Sequence, residues 1–336
     1  MTLSDITGET RAVLKWGTFL LGALIILFLL LKIKNAVFPP APPKPTVGFG
    51  KLPGIEFPTT VNKNLSFSIN TITGTLPSLP ISEKVFRMQE TKPDLLSLNR
   101  AKEKVKTIGF EGNPTKVSEN VYQWKSPDGK TLTMNILDFN FNLSSNFFSK
   151  QTIPVFGERA DIASGVAKDF LGQMKLFGND LDETKTATNL FSIKDFKLIP
   201  ATSLSSTQIV KVNFFQKDIN NLPVYYPGEA TDSPMNFLIG RLEDPQVLEA
   251  NFFYQKPSEI FSTYPLKTAA KAFEDLKKGK GYVLYSGSNS NVSIKKVNLG
   301  YYIGEKKQEY LIPIVVFQGD NFLAYINAVV NEWVNN

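Results

Sequence analysis

Hydrophobic positions change their spacing along this chain, and each spacing predicts a different element. Trp16 to Leu31 (WGTFLLGALIILFLLL) is an unbroken run of apolar and small residues, with Arg11 and Lys15 before it and Lys32 and Lys34 after it. Hydrocarbon about 30 Å thick takes roughly 20 helical residues. The run therefore predicts a transmembrane helix over 16–34, with Lys15 and Lys32 laying their stems along it and lifting their amines to the interface. The anchor residues in this reading are Trp16, Phe19, Leu24, Phe28 and Leu31. A cleaved signal peptide fits less well, because the run exceeds the usual h-region and Leu31-Lys32-Ile33-Lys34-Asn35 offers no small-x-small cleavage site. Residues 1–15 then form a short cytoplasmic tail. Residues 35–58 contain PPAPPKP, and repeated proline favours an extended spacer that would hold the remainder off the bilayer.

Beyond about residue 60 no further long apolar run occurs, and the pattern alternates between helical and strand periods. Helical spacing predicts one helix over Asp94 to Ile108 and another over Arg159 to Leu176, the second with Ile162, Val166, Phe170 and Met174 at every fourth position. A third is predicted from Pro265, in the first turn, to Gly279. Period-two segments succeed each helix. Val121 to Trp124 and Thr131 to Leu137 flank Ser126-Pro127-Asp128-Gly129, which predicts a hairpin. Gln208 to Gln216 alternates, and Ile219-Asn220-Asn221 turns the chain into Pro223 to Tyr226. After the third helix come Gly281 to Tyr285, Val292 to Ile303, Tyr310 to Phe317 and Phe322 to Val330. This succession predicts an α+β fold of repeated helix-on-antiparallel-sheet units. A break near Phe148 to Arg159 divides it into a membrane-proximal α+β domain, residues 59–150, and a distal α+β domain, residues 151–336.

Charge changes this picture little. The net charge of +6 comes from 37 basic and 31 acidic residues that are interspersed rather than blocked, so no nucleic-acid partner is expected. Basic residues flank both ends of the apolar run, which leaves the positive-inside rule nearly silent. The short N-terminal tail and proline stalk favour an outward-facing signal anchor, with the C-terminal part extracytoplasmic. The chain contains neither histidine nor cysteine. That removes the commonest general base, the Ser-His and Cys-His nucleophile systems and most zinc sites.

The remaining chemistry is sparse. Ser82 with Lys84, Ser192 with Lys194, and Ser293 with Lys295 juxtapose a hydroxyl and an amine, but along a strand both fall on one alternating face. No phosphate-binding loop occurs. Asp138-Phe139-Asn140-Phe141-Asn142 starts like a calcium loop, yet Leu143 stands at the turn glycine and Ser149 at the bidentate glutamate. Asn179, Asp180, Asp182 and Glu183 bunch after the second helix and offer oxygen ligands for a hard cation, although such clusters ordinarily form solvated loops. No catalytic residue, metal or cofactor is therefore nominated. Phe-Phe pairs at 147–148, 214–215 and 252–253 set one ring on each sheet face. The outer rings serve either a partner surface or a second packed layer.

At the C-terminal end, Tyr264 to Lys278 is succeeded by Leu299-Gly300-Tyr301-Tyr302, by Pro313 within a strand, and by Tyr325-Ile326-Asn327-Ala328. A spaced-alanine helix, a Leu-Gly-Tyr-Tyr strand, a proline-bearing strand and an aromatic-x-Asn-Ala ending resemble the YycH/YycI-type and PepSY-like extracytoplasmic proteins. The resemblance covers about a fifth of the chain. It implies a single-span accessory protein that restrains a membrane sensor through transmembrane and exterior contacts and is not an enzyme. The expected function is a bacterial, membrane-anchored, non-enzymatic binding or regulatory protein with a protein partner in the membrane or envelope. Alternatives are a structural envelope protein that binds a polymer or itself, and a Ser/Lys or carboxylate hydrolase.

Overall fold

A computed structural model of the chain describes residues 16–28, 30, 32, 43–58, 65–149, 153–156, 160–286 and 290–335. The chain divides into two compact units, Met1–Lys44 and Pro45–Asn336.

In the first unit, residues 16–28 are helical, and Trp16, Phe19, Leu24 and Phe28 are all more than half exposed. No helix among the described residues is long and apolar enough to cross a membrane. The transmembrane helix expected over 16–34 is corrected accordingly, and Leu31 lies outside the described residues.

The second unit is built on sheets. Among the described residues of the whole chain strand accounts for about 40% and helix for about 19%, which corrects the expected α+β series of one helix per sheet. The larger sheet runs β3 (Thr115–Lys116), β4 (Val121–Lys125), β5 (Thr131–Asn135), β6 (Phe141–Ser144), β12 (Pro245–Phe252), β11 (Met235–Arg241), β9 (Ile209–Gln216), β7 (Leu181–Lys194) and β8 (Lys197–Pro200). Strands from before and after residue 150 thus share one sheet. The smaller sheet runs β1 (Ser66–Ile69), β15 (Asn291–Tyr302), β17 (Pro313–Gly319), β18 (Phe322–Asn327) and β14 (Tyr282–Ser286). Short β10 (Val224–Tyr225) pairs in parallel with β15. A third sheet orders β13 (Pro257–Pro265), β2 (Ser82–Met88) and β16 (Tyr310–Leu311).

Helices α1 (Ser97–Lys106) and α2 (Ile162–Gln173) both feed the core of the larger sheet, where Ala101, Val105, Ala163, Ala167 and Leu171 meet Trp124, Met134 and Phe237. Helix α3 (Ala269–Lys277) covers one face of the smaller sheet through Ala272, Phe273 and Leu276. It starts later than expected. Pro265 ends β13 by pairing with Ser82, and Thr268 is the N-cap, its hydroxyl accepting from the Lys271 N–H at 3.2 Å.

Strand outweighs helix because the strands are apolar on both faces. In β17 the alternation sends Val315 and Phe317 towards α3, and Ile314 and Val316 into a separate cluster with Tyr302 and Tyr325. The outer Phe of two of the pairs is likewise absorbed. Phe215 lies 6.0 Å from Tyr226 and Phe148 lies 4.1 Å from Phe147, ring to ring.

Residues 45–58 do not behave as a spacer. The Val47 N–H donates to the Thr263 carbonyl at 3.0 Å, Leu52 is fully buried, and its N–H donates to the Trp333 carbonyl at 2.9 Å. Phe57 then stacks on Tyr282 at 5.7 Å. The second half of the expected linker is therefore an extended strap bound along the sheet unit.

Candidate functional site

On the face of the smaller sheet opposite α3, tyrosines gather from three segments of sequence. β18 supplies Tyr325, β15 supplies Tyr302, and β14 supplies Tyr282 and Tyr285. A further segment reaches them by a tight turn. Asn220 and Asn221 adopt φ of +51° and +62°, and Ile219 and Leu222 exchange backbone hydrogen bonds of 2.9 and 3.0 Å across them. Asparagine tolerates that left-handed pair better than other residues with a Cβ. The chain leaves the turn as β10 and lies on β15 with Val224 opposite Tyr301 and Tyr225 opposite Tyr302.

Gly300 makes that approach possible. A Cβ placed there would come within 2.5 Å of Tyr225 Cδ2 and 2.8 Å of the Pro223 carbonyl oxygen. The Tyr225 ring thereby rests 5.4 Å from Tyr325, which also lies 5.8 Å from Tyr302 and 6.1 Å from Tyr282. Asn298 donates to the Tyr225 hydroxyl at 3.0 Å, while its own side-chain oxygen is buried without a partner among the described residues. The buried Tyr302 hydroxyl also has none. Burial holds the Tyr226, Tyr302 and Tyr325 phenols well above their ordinary pKa, so all three are neutral at physiological pH.

These rings bound a cleft of about 320 Å³, walled by Tyr225, Tyr226 and Tyr285 and edged by Glu229, Asp232 and Gln318. It meets a second hollow of about 460 Å³ at Asp232, where Lys211, Asn236, Asn251 and Glu305 line the wall. Lys211 Nζ sits 2.6 Å from Asp232 Oδ1. Burial, then the Glu229 charge, raises the Tyr285 phenol. A neutral aromatic wall beside carboxylates can hold a ligand by stacking and charge.

The residues nominated from sequence fall on different sides of this sheet. Tyr302 and Tyr325 are buried among the cleft's aromatics, and Gly300 lets Tyr225 in. Leu299 points the other way, into the α3 core. Tyr301 turns towards the larger core and donates to the Lys84 carbonyl at 2.9 Å. Pro313 pairs with Tyr301, the Asn327 side chain accepts from the Val329 N–H at 2.9 Å, and Ala328 is fully buried. The motif thus builds the wall rather than a reactive centre.

The Asn179–Glu183 cluster is dispersed. Asp180 accepts from the Tyr254 hydroxyl and lies 3.5 Å from Lys256 Nζ; Asp182 accepts from Thr184; Glu183 pairs with Lys168 at 2.7 Å. No group of three or more potential ligand side chains comes together for a metal among the described residues. The Ser/Lys pairs fare no better, since Lys295 pairs with Asp320 at 2.5 Å and Lys84 Nζ lies 4.3 Å over the Phe261 ring.

Tyr225, Tyr226, Tyr285, Glu229 and Asp232 were not nominated from sequence. The available signal was the Asn-Asn turn delivering Tyr225-Tyr226 ahead of Pro227-Gly228, where Gly228 takes a φ of +94°.

No family model matches the chain, and no curated protein matches it. Among solved structures, an uncharacterised protein from Eubacterium rectale is similar at 12% identity over 81% of this chain and 90% of its own, with a TM-score of 0.41. The Bacillus megaterium YpeB C-terminal domain is similar at 12% identity over 72% of this chain and 95% of its own, with a TM-score of 0.31. Neither likeness bears on activity.

Proposed function

We propose that this chain is a non-enzymatic binding protein of the bacterial cell envelope, with residues 45–336 on the extracytoplasmic side. Its partner is a membrane or envelope protein, engaged through the tyrosine-lined cleft. One observation carries the reading: Tyr225 and Tyr285 wall a hollow of about 320 Å³ with carboxylates at its rim. A regulatory role arises if occupancy of the cleft alters that partner.

The test is site-specific photocrosslinking of the full-length chain in its native membrane, with the probe at position 285 or 229. A probe at Lys278, at the end of α3 on the opposite sheet face, is the control. The expected result is one envelope protein captured from positions 285 and 229 and not from 278. Capture of the same species from all three positions, or self-crosslinks alone, would overturn the reading. Turnover of a substrate abolished by a single substitution would overturn its non-enzymatic part.

A further inference from the structure

The cleft's charge runs against that of the chain. The sequence carries a net charge of +6, yet neither lysine nor arginine lines the 320 Å³ hollow, while Glu229 and Asp232 do. Asp232 is partly neutralised by Lys211 from the adjoining hollow. Glu229 is exposed and has no ion-pair partner among the described residues. Tyr285 lines the hollow, half-buried against the sheet cluster, and, unlike Tyr225, Tyr282, Tyr302 and Tyr325, enters no ring pair among the described residues. Lys185 lies close enough to Tyr225 for its charge to be felt, but it is held 2.5 Å from Asp218 and does not line the hollow.

An aromatic face beside an unpaired carboxylate suits an alkylammonium or guanidinium group, because the ring quadrupole and the carboxylate both attract a partly desolvated cation. The second hollow supplies the complement for a chain. Asn236 and Asn251 spend their amide N–H groups on the Ser233 and Pro234 carbonyls at 2.8 and 2.9 Å. Their side-chain oxygens accept from nothing among the described residues, which leaves them for peptide N–H groups.

We infer that the cleft binds a basic peptide segment, with one lysine or arginine side chain lodged between Tyr285 and Glu229 and the adjoining main chain passing Asp232 into the second hollow. This rests on the cleft being the partner site and adds the chemical class of what enters it.

The test is isothermal titration calorimetry of the full-length protein in detergent with terminally blocked trilysine, triglutamate and choline. The variants are Glu229→Gln, Tyr285→Leu and, as a control behind the sheet, Glu274→Gln on α3. Trilysine is expected to bind and triglutamate not. Glu229→Gln and Tyr285→Leu are each expected to weaken trilysine roughly 2- to 30-fold, the range of a single cation–aromatic contact, with Glu274→Gln unchanged. Equal weakening in all three variants would mean diffuse attraction and overturn the inference, as would binding of choline without trilysine. If Tyr285→Leu fails to fold, the exposed Glu229→Gln decides alone. Absence of trilysine binding while the position-285 probe still captures one partner removes the basic class and leaves the binding reading intact; loss of both removes both.

Discussion

Gly300→Ala tests how β10 is seated. The added methyl would lie within 2.5 Å of Tyr225 Cδ2 and 2.8 Å of the Pro223 carbonyl oxygen. A ring can swing aside, but the carbonyl belongs to the segment that β15 holds, with Tyr301 N–H donating to Pro223 at 2.8 Å and Ile303 N–H donating to Tyr225 at 3.0 Å. Overpacking of this kind costs about 1–3 kcal/mol, and displacing Tyr225 from Tyr325 forfeits about 0.5–1.5 kcal/mol of ring contact. A loss of about 2–4 kcal/mol is expected in urea denaturation, with an unchanged m-value. Tyr225→Ala should relieve the ring clash but not the carbonyl clash. The double variant should therefore lose less than the sum of the single variants by about 1 kcal/mol. If Gly300→Ala lies within about 0.5 kcal/mol of the parent, the β10–β15 approach is looser than described and the cleft wall with it.

Four other contacts carry their own expected outcomes. Phe196, 75% exposed, holds a φ of +58° beside Asp195 at +50° in the β7–β8 turn. Phe196→Gly should stabilise the fold by about 0.5–1 kcal/mol, the left-handed strain removed less the added chain entropy, and denaturation showing a loss would refute this. Leu52, the fully buried residue of the strap in the core of the smaller sheet, should cost about 2–5 kcal/mol as Leu52→Ala, whereas a free spacer would show no change. Lys267 Nζ lies 3.1 Å from Asp275 Oδ2 with both side chains at most 7% exposed, close enough to pair although not aligned as a hydrogen bond. Lys267→Met alone should cost about 3–5 kcal/mol and Lys267→Met with Asp275→Leu distinctly less, as read by thermal melts. The buried Tyr226, Tyr301, Tyr302 and Tyr325 phenols have raised folded-state pKa values, burial being the first cause. Their contribution to stability is therefore complete below the unfolded value of about 10 and is lost as pH climbs above it. Tyrosinate absorbance from this set should emerge only together with unfolding, and gradual ionisation in a still-folded protein would count against their burial.

Periodicity located the strands better than it located their partners. The Ser126-Pro127-Asp128-Gly129 reversal and the Asn220-Asn221 turn were legible because a left-handed or proline-set backbone leaves a local residue signature. Gly129 does take a φ of +86°. Sheet membership was not legible. Nothing local to Phe141 or Phe252 says that β6 and β12, separated by more than a hundred residues, pair through those two residues. A division near residue 150 was the natural reading of a local gap. The prolines before residue 45 also masked the strap, since Thr46, Gly48 and Leu52 bind Ser262 and Trp333 through contacts no sequence window can contain. The third helix was placed early because Pro265 suits a first helical turn and suits the end of a strand equally well. The cleft suffered most from this limit. Tyr302 and Tyr325 belong to the motif that carries the resemblance, but Tyr225 and Tyr285 acquire meaning only when β10 and β14 bring them to the same face.

The doubly apolar strands explain why a cleft exists on this face. One side of the smaller sheet is sealed by α3, a helix whose Phe273 and Leu276 fill the space continuously. The other side has no helix among the described residues and is covered piecewise by Phe57 from the strap, Tyr225 from β10 and Tyr285 from β14. Three short covers meeting over a twisted sheet leave gaps that a single helix would close. Tyrosine suits such margins, because its ring packs on Tyr325 while its hydroxyl tolerates a wet boundary. Phenylalanine at 225 would lose the Asn298 contact, and leucine at 285 would lose the aromatic face. Substitutions at 225 should therefore reduce stability and ligand affinity together, since that ring both supports Tyr325 and walls the cleft. Substitutions at 285, free of ring partners among the described residues, should reduce affinity with little change in the melt. The reverse pattern, with position 285 governing the fold and position 225 governing binding alone, would mean that the ligand-facing wall has been assigned to the wrong side of the cleft.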